Sequence, residues 1–406
     1  MSLQNTNTAP AVPIKEGLLL FILAAINFTH IMDFVIMAPL NPILSKALSL
    51  SPQKFSFLQA SYALSAGLAG IAGAFFVDKF DRRTTLIFLY SGFTISNLAC
   101  AISPEYYSLM TSRTLAGAFG GVLGSVLLSV VGDVIPQERR GKATGIVMSA
   151  FSAASVIGLP IGIILGKNID WHAPFYFITI LSLIVLIFTW LKMPSITSHI
   201  NNLNFDATLQ KIKGLFLNPN VRWSFLFMSL LMISGLTVVP FLSDYIVNNI
   251  KLSEDNLHHV YFYGGLATAI SGPLTGRLAD KFGKPRVFLI AGLISVIPIY
   301  IMTHLPESSY GFTLVMSSIF FIFFGARFVP AMSMMTSSVE LRQRGSFMSI
   351  NSSIQQFSSS IAILTAGAII VKNNNGSLEN FGICGIISIV ALVACILVSF
   401  KLKQVS

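Results

Sequence analysis

Residues Ala74–Arg83 read Ala-Phe-Phe-Val-Asp-Lys-Phe-Asp-Arg-Arg, and residues Gly276–Pro285 read Gly-Arg-Leu-Ala-Asp-Lys-Phe-Gly-Lys-Pro. The shared Asp78-Lys79-Phe80 returns 202 residues later as Asp280-Lys281-Phe282, in both places behind a long apolar run. Arg140-Gly141 returns as Arg344-Gly345 after 204 residues, and Arg113 is matched with Arg327 at an offset of 214. Landmarks that recur at half the length of a 406-residue chain describe two similar halves.

The surroundings of these repeats are membrane-like. Hydrophobic residues make up 54% of the chain and charged residues 10%, against the roughly 25% charged that coats a soluble protein. Mean hydropathy is +0.75. This excludes a soluble enzyme, a disordered chain and a secreted disulfide scaffold. Cys100, Cys384 and Cys395 are odd in number, lie in apolar runs, and have no metal-ligand spacing. A helix crossing about 30 Å of hydrocarbon needs about 20 mostly apolar residues. Twelve such runs are predicted: 17–40, 55–77, 84–102, 107–131, 143–166, 173–192, 222–248, 257–278, 286–303, 310–336, 345–371 and 379–400. The fold class is therefore all-α integral membrane, with six-helix bundles over 17–192 and 222–400. Residues 1–16 and 401–406 are short polar tails, and 1–16 lacks a secretory-signal pattern. The polar stretch 193–221 joins the bundles. Within it Phe205, Leu209, Ile212 and Phe216 recur at helical spacing beside Lys211 and Lys213, which fits a surface amphipathic helix or a plain linker.

The net charge of +10 is explained by where the cations sit. Nineteen of the 26 Lys and Arg fall on the side that holds both tails and the central linker, five fall on the other, and Arg113 and Arg327 lie inside spans. The positive-inside rule places both termini in the cytoplasm. Charge that alternates along the connections of twelve spans also argues against a nucleic-acid surface.

With these features the chain resembles the major facilitator superfamily, over nearly its whole length. The resemblance implies two pseudo-symmetric six-helix bundles and transport by alternating access. The loop signature of that family is Gly, three residues, Asp, a basic residue, any residue, Gly, then basic residues. Gly276, Asp280, Lys281, Gly283 and Lys284 match it; the first copy departs with Ala74 and Asp81 at the glycine positions. The resemblance implies a cytoplasmic gate at Asp78, Arg82 and Arg83 and at Gly276, Asp280, Gly283 and Lys284, with the first copy expected to be looser. The fourth span, with Leu109, Arg113, Gly117, Gly120 and Gly121, resembles the proton-coupled signature. The fifth, with Gly145, Gly158, Pro160, Gly162 and Gly166, is similar to the antiporter signature, with Leu159 interrupting its usual Gly-Pro pair. The first span, Asp33 followed by Pro39, looks like the same helix of drug–proton antiporters and arabinose-type efflux permeases.

Asp33 is the leading candidate site residue. An ionised carboxylate at mid-span costs about 2.5–3.5 kcal/mol on translocon scales, so its protonation responds to water access. Proton or substrate-cation binding and a fixed ion pair with Arg113 are both open. Arg113 keeps its proton; the resemblance implies that it sets the proton equilibrium of a neighbouring carboxylate. Arg327 either lines the cavity or serves packing with its head group snorkelling to the surface. Asn27, Thr29 and His30 extend a polar stripe along the first helix, and His30 reads as a proton relay or as cavity lining. His258-His259 lie at a loop edge. Gln355 and Gln356, beside Asn351 and Ser358-Ser359-Ser360, should face a cavity or another helix rather than lipid. Phe34, Met37 and Tyr62 are candidate apolar walls. The glycines of the fifth span are expected to let the two halves approach closely.

The expected function is proton-coupled efflux of a small organic solute. The alternatives are a proton-coupled symporter or uniporter for a nutrient, and a non-transporting receptor or scaffold. No nucleophile–base pair, metal spacing or phosphate-cradling loop points to an enzyme. The expected energy source is the proton gradient with no cofactor, the partners are solute, protons and lipid, the protein is a monomer, and the location is a bacterial cytoplasmic membrane.

Overall fold

The structure, a computed structural model, describes residues 14–197, 200, 205–340 and 344–405. Most of the N-terminal tail, part of the linker and Arg342 lie outside the described residues. The helices are α1 (Glu16–Val35), α2 (Met37–Ala47), α3 (Pro52–Phe76), α4 (Arg82–Ala101), α5 (Tyr106–Val134), α6 (Arg140–Met148), α7 (Ala150–Ala153) and α8 (Leu159–Asn168). They continue with α9 (Ala173–Lys192), α10 (Phe205–Leu217), α11 (Pro219–Leu236), α12 (Val239–Asn248), α13 (Leu257–Phe282) and α14 (Lys284–His304). The last three are α15 (Tyr310–Thr336), α16 (Arg344–Ile369) and α17 (Phe381–Ser399). Joining α1 with α2, α6 through α8, and α11 with α12 gives twelve membrane-length segments. Ten are long and apolar enough to cross a bilayer by composition alone. The other two, α13 and α16, are as long but more polar, and both lie on the seam between the halves. There they face protein more than lipid, so polar side chains cost them less. Among the described residues the only strands are β1 (Val371–Lys372) and β2 (Leu378–Glu379), an antiparallel pair closed by the Asn-rich turn before α17.

Two helices break at corresponding places for the same reason. Proline has no N–H for the carbonyl four residues back and clashes with it. α1 ends at Val35, four residues before Pro39, and α11 ends at Leu236, four residues before Pro240. The starts of the long segments keep a nearly constant offset between halves: Arg82 and Lys284 are 202 apart, Tyr106 and Tyr310 are 204 apart, Arg140 and Arg344 are 204 apart. The 214-residue match of Arg113 with Arg327 falls outside this register. Ser317, not Arg327, occupies the position of Arg113, and Arg327 sits ten residues farther along its helix, about 15 Å nearer the basic face.

The halves meet along α3 with α16, α2 with α12, and the α7–α8 junction with α13. A β-carbon on Gly70 would lie 2.6 Å from Ser353 Oγ, and one on Gly367 would collide with Ser56. The helix-5 glycines do something other than join the halves. Gly158, Gly162 and Gly166 receive Met32, Ile36 and Leu40 from α1 and α2, within one half, and Gly145 faces open space. The close inter-half approach instead falls on Gly265 of α13, whose β-carbon would lie 2.6 Å from the Ser155 carbonyl oxygen. That carbonyl belongs to a π-helical turn, Ala154–Gly158, just ahead of Pro160, where the bonding pattern slips to accommodate the proline. Among the described residues, the hydrogen bonds and ion pairs that cross between halves lie away from the basic face. Asn41 Nδ2 donates to Pro240 O at 3.0 Å, Ser360 Oγ donates to Ala60 O at 3.3 Å, and Lys167 pairs with Asp255.

The linker helix predicted at 205–216 forms as α10, Phe205–Leu217; the side chain of Phe205 lies outside the described residues. Leu215 is buried and the Phe216 ring lies 5.3 Å from that of Phe225 on α11, so part of its apolar face packs on the second half while Phe216 and Leu217 stay exposed.

Candidate functional site

Asp33 lies two residues before the end of α1, where the break frees backbone groups. Arg113, on α5, reaches both parts of it. Nη1 pairs with the carboxylate, and Nη2 donates to the Asp33 backbone carbonyl at 3.3 Å. Both side chains have no solvent exposure. The Arg113 guanidinium lies 4.4 Å over the Tyr62 ring, and the Phe34 ring lies 5.7 Å from that ring on its other neighbour helix. This aromatic partner of Arg113 was not foreseen in the sequence, where Tyr62 read only as an apolar wall.

The cluster is incompletely bonded. Asp33 Oδ2, Tyr62 OH, Arg113 Nε and both ring nitrogens of His30 are buried without a hydrogen-bond partner. Gly120 of α5 explains how they approach: a β-carbon there would lie 2.7 Å from Tyr62 OH and 3.2 Å from His30 Nε2. The missing side chain thus lets a phenol and an imidazole approach each other, each able to give or take a proton or to bind a polar group.

The remaining candidates sort by position. Asn27 is a helix tie, not a cavity wall, because its Nδ2 donates to Val147 O on α6 at 2.8 Å. Thr29 does the same for α4, 2.8 Å from Tyr90 OH. Gln355 and Gln356 are half-buried on α16 at the seam; the Gln355 carbonyl accepts from Ser359 Oγ at 2.6 Å. Beside them Asn351 is fully buried with both side-chain amide atoms unpartnered. His258 and His259 lie side by side at the start of α13, with tilted rings 4.0 Å apart, and His259 Nδ1 lies 3.1 Å from Tyr310 OH. The described residues contain no cluster of three or more His, Cys, Asp or Glu that would hold a metal.

Arg327 is 2% exposed and pairs with no carboxylate among the described residues. Its guanidinium lies 5.1 Å from the Phe324 ring, and Nη1 has no partner. A concavity of about 770 Å³ lies at neither arginine: it is an apolar groove between α1, α7 and α9, lined by Phe21, Phe28, Ala153, Ile184 and Phe188.

At the basic face the two copies of the repeated loop are built differently. In the first, Arg82 bonds Asp78 at 2.7 Å and Asp133 at 2.8 Å, while Arg83 donates to Trp190 O at 2.7 Å. Asp81 caps α4 and accepts the Ile196 N–H at 2.6 Å, so the residue that departs from the pattern ties the linker down. The expected looseness of this copy is not seen. Asp133 carried no motif and was missed; its place at the end of a span, facing the repeated loop, was the available signal. In the second copy Gly283 has φ +90°, a conformation that suits glycine, and a β-carbon on Gly276 would find only Val329 at 3.8 Å. Asp280 is exposed and makes no ion pair among the described residues, while Lys284 Nζ donates to Ser337 Oγ at 3.0 Å.

The sequence pattern described as Major Facilitator Superfamily matches residues 23–243 and, overlapping it, 232–405. An uncharacterized MFS-type transporter of Bacillus subtilis, YceJ, is 22% identical over 336 residues, 82% of this chain and 85% of its own. A Helicobacter pylori protein named "Probable sugar efflux transporter" is 25% identical over 265 residues, 65% of this chain, which spans 66% of that relative's length. Among solved structures, a bacterial homologue of the lysosomal transporter Spinster, inward-facing and unoccupied, has a TM-score of 0.75 at 16% identity, covering 95% of this chain and 96% of that one. A D-xylose–proton symporter has a TM-score of 0.76 at 16% identity over 93% of this chain and 97% of its own. A match across both halves, on a twelve-segment helical frame with a repeated basic loop, has one reading: the chain is a multi-pass membrane transporter of the Major Facilitator Superfamily.

Proposed function

We propose that this transporter is a proton-coupled antiporter that exports a small organic solute, with Asp33 as the proton-carrying group. The observation that carries the reading is the Asp33–Arg113 pair at the break of the first helix, shut away from solvent with one carboxylate oxygen unpartnered. A carboxylate held by a single guanidinium can pass from charged and paired to protonated and released when water reaches the break, and Arg113 supplies the fixed charge against which that exchange runs. Tyr62 holds Arg113 from its ring face and presents its hydroxyl toward His30 across Gly120. Efflux is supported by relatives named for sugar efflux and by the antiporter-like glycines and proline of the fifth segment.

In this reading both termini lie in the cytoplasm, and the crossing contacts at Asn41, Ser360 and Lys167 close the outer side. The Asp78–Arg82–Asp133 network and the Lys284–Ser337 bond brace the cytoplasmic ends as the bundles rock. The energy comes from the proton gradient, without a cofactor.

The test is reconstitution into liposomes with an imposed pH gradient, reading internal pH while solutes are screened. Solute movement against the proton flux, lost in Asp33→Asn, is expected. Coupled flux that persists in Asp33→Asn would move the coupling site elsewhere, and solute moving with the protons would identify a symporter.

A further inference from the structure

The apolar groove of about 770 Å³ between α1, α7 and α9 plays no part in the Asp33–Arg113 cluster. Its walls belong to membrane-length segments, so the medium around it is lipid and not water. Ala25, Ala150 and Ala153 line it beside the larger Phe21, Phe28 and Phe188, so the concavity lies where short side chains interrupt a bulky apolar surface. Phe21, Ile184 and Leu191 stay exposed although apolar.

A lipid medium offers such a groove an acyl chain, and the ends of the same segments indicate which headgroup comes with it. Lys15 precedes α1, Lys142 lies in the first turn of α6, and Lys192 ends α9. Each is seven residues from a groove-lining residue of its own segment: Ile22, Ser149 and Val185. Seven residues bring a helix back to within about 20° of the same direction, so each lysine shares the groove face of its segment, about 10 Å nearer the basic end. All three are exposed and make no ion pair among the described residues, while Glu16, the acid at this end of α1, is taken by Arg139 at 2.6 Å. Cations at the edge of the hydrocarbon attract lipids of net negative charge over zwitterionic ones.

We propose that the groove binds one anionic phospholipid of the leaflet at the basic face, with an acyl chain between α1, α7 and α9 and its phosphate at Lys15, Lys142 and Lys192. The lysine stems follow the apolar wall and carry their charges up to the phosphate. The site backs onto the seam between the halves. Ala153 lines the groove, and Ser155, two residues on and so on the other side of the helix, presents its carbonyl to Gly265 of the second half. A bound chain fills the space behind that contact and steadies it. The proposal requires a membrane-embedded chain and is independent of the substrate, the direction of transport and proton coupling.

The experiment titrates delipidated full-length protein in dodecyl maltoside with dioleoyl phosphatidylglycerol or dioleoyl phosphatidylcholine. Native mass spectrometry counts the bound lipid, and a melting curve follows stability. One phosphatidylglycerol is expected to be retained, and to stabilise at concentrations tenfold or more below phosphatidylcholine. The combined Lys15→Gln, Lys142→Gln and Lys192→Gln variant should lose that preference. The same charge loss on the opposite face, by Lys46→Gln, Lys54→Gln and Lys251→Gln, should leave it intact. Ala153→Leu fills the groove without touching the charges and should weaken phosphatidylglycerol at least tenfold; Ala25→Leu does the same from α1 and serves if Ala153→Leu fails to fold. Glycerol 1-phosphate, the anion without chains, should not compete. Retention of neither lipid, equal retention of both, a preference that survives the lysine variant, binding undiminished in the groove variants, or displacement by glycerol 1-phosphate would overturn the proposal. So would a dimer that forms on delipidation and is lost in Ala153→Leu, which would give the groove to a second copy of the chain.

Discussion

Removing either member of the Asp33–Arg113 pair should be costly, but the two losses differ in their dependence on pH. Both side chains have no exposure, and deleting one partner of a buried pair costs about 3–5 kcal/mol because the survivor is left uncompensated. In Asp33→Asn the survivor is a guanidinium, which keeps its proton at every accessible pH, so that cost stays constant. In Arg113→Gln the survivor is a carboxyl group, which escapes the penalty by binding a proton. Against an unfolded-state carboxyl that titrates near 3.9, this escape costs about 1.36 kcal/mol per pH unit: roughly 1.5 kcal/mol at pH 5 and roughly 4 kcal/mol at pH 7. The folded variant then holds a proton that the unfolded chain releases, so its stability is greatest at low pH and falls as pH rises.

Reversible unfolding in mixed micelles from pH 5 to 8, each variant referenced to the parent at the same pH, measures both curves. Arg113→Gln should regain about 2.5–3 kcal/mol between pH 7 and pH 5, while the deficit of Asp33→Asn stays flat. The double variant should cost clearly less than the two single losses combined, since it buries two amides and no lone charge. A flat curve for Arg113→Gln, or strictly additive losses, would refute the picture of a carboxylate whose only counter-charge is Arg113.

Other perturbations separate the two faces of the molecule. Gly265→Val forces a side chain against the Ser155 carbonyl and should cost about 1–3 kcal/mol and slow solute flux in proteoliposomes, whereas Gly276→Ala, with only Val329 at 3.8 Å, should be silent in both assays. Gly283→Ala places a β-carbon at φ +90° and should lower stability by about 1–3 kcal/mol in a melting experiment, with Gly311→Ala, in open space, as the control. Arg82→Gln removes two bonds to carboxylates and should cost about 2 kcal/mol, with faster proteolytic nicking between residues 193 and 204 because the linker docks beside it at Asp81.

Apolar runs and alternating charge made the membrane segments legible, because hydrocarbon thickness and the cost of buried charge act directly on composition. Helix breaks were legible in principle from Pro39 and Pro240, since each ends its helix four residues upstream. What composition cannot carry is register and partner choice. Matching Arg113 with Arg327 by residue type ignored that the helix starts keep a 204-residue offset, and so mistook two guanidiniums at different depths for one repeated position. The glycines of the fifth segment were visible, but which neighbour filled them was not: small residues license close approach by any helix, and here α1 and α2 took the space. Asn27 failed as a cavity candidate for a related reason. A polar stripe on a membrane helix reads alike whether it faces water or a neighbouring carbonyl such as that of Val147.

The two proline breaks tie these observations to how the transporter is built. A broken helix exposes unpaired backbone polarity at mid-membrane, which is tolerated only where something else meets it. At the first break the meeting group is Arg113, which holds both the carbonyl and the carboxylate of Asp33. At the second, Arg327 approaches with the Phe324 ring beside it, and among the described residues no acid pairs with it. A chain that had only to stabilise its breaks would gain from pairing or deleting Arg327, since a lone buried guanidinium is the costlier choice.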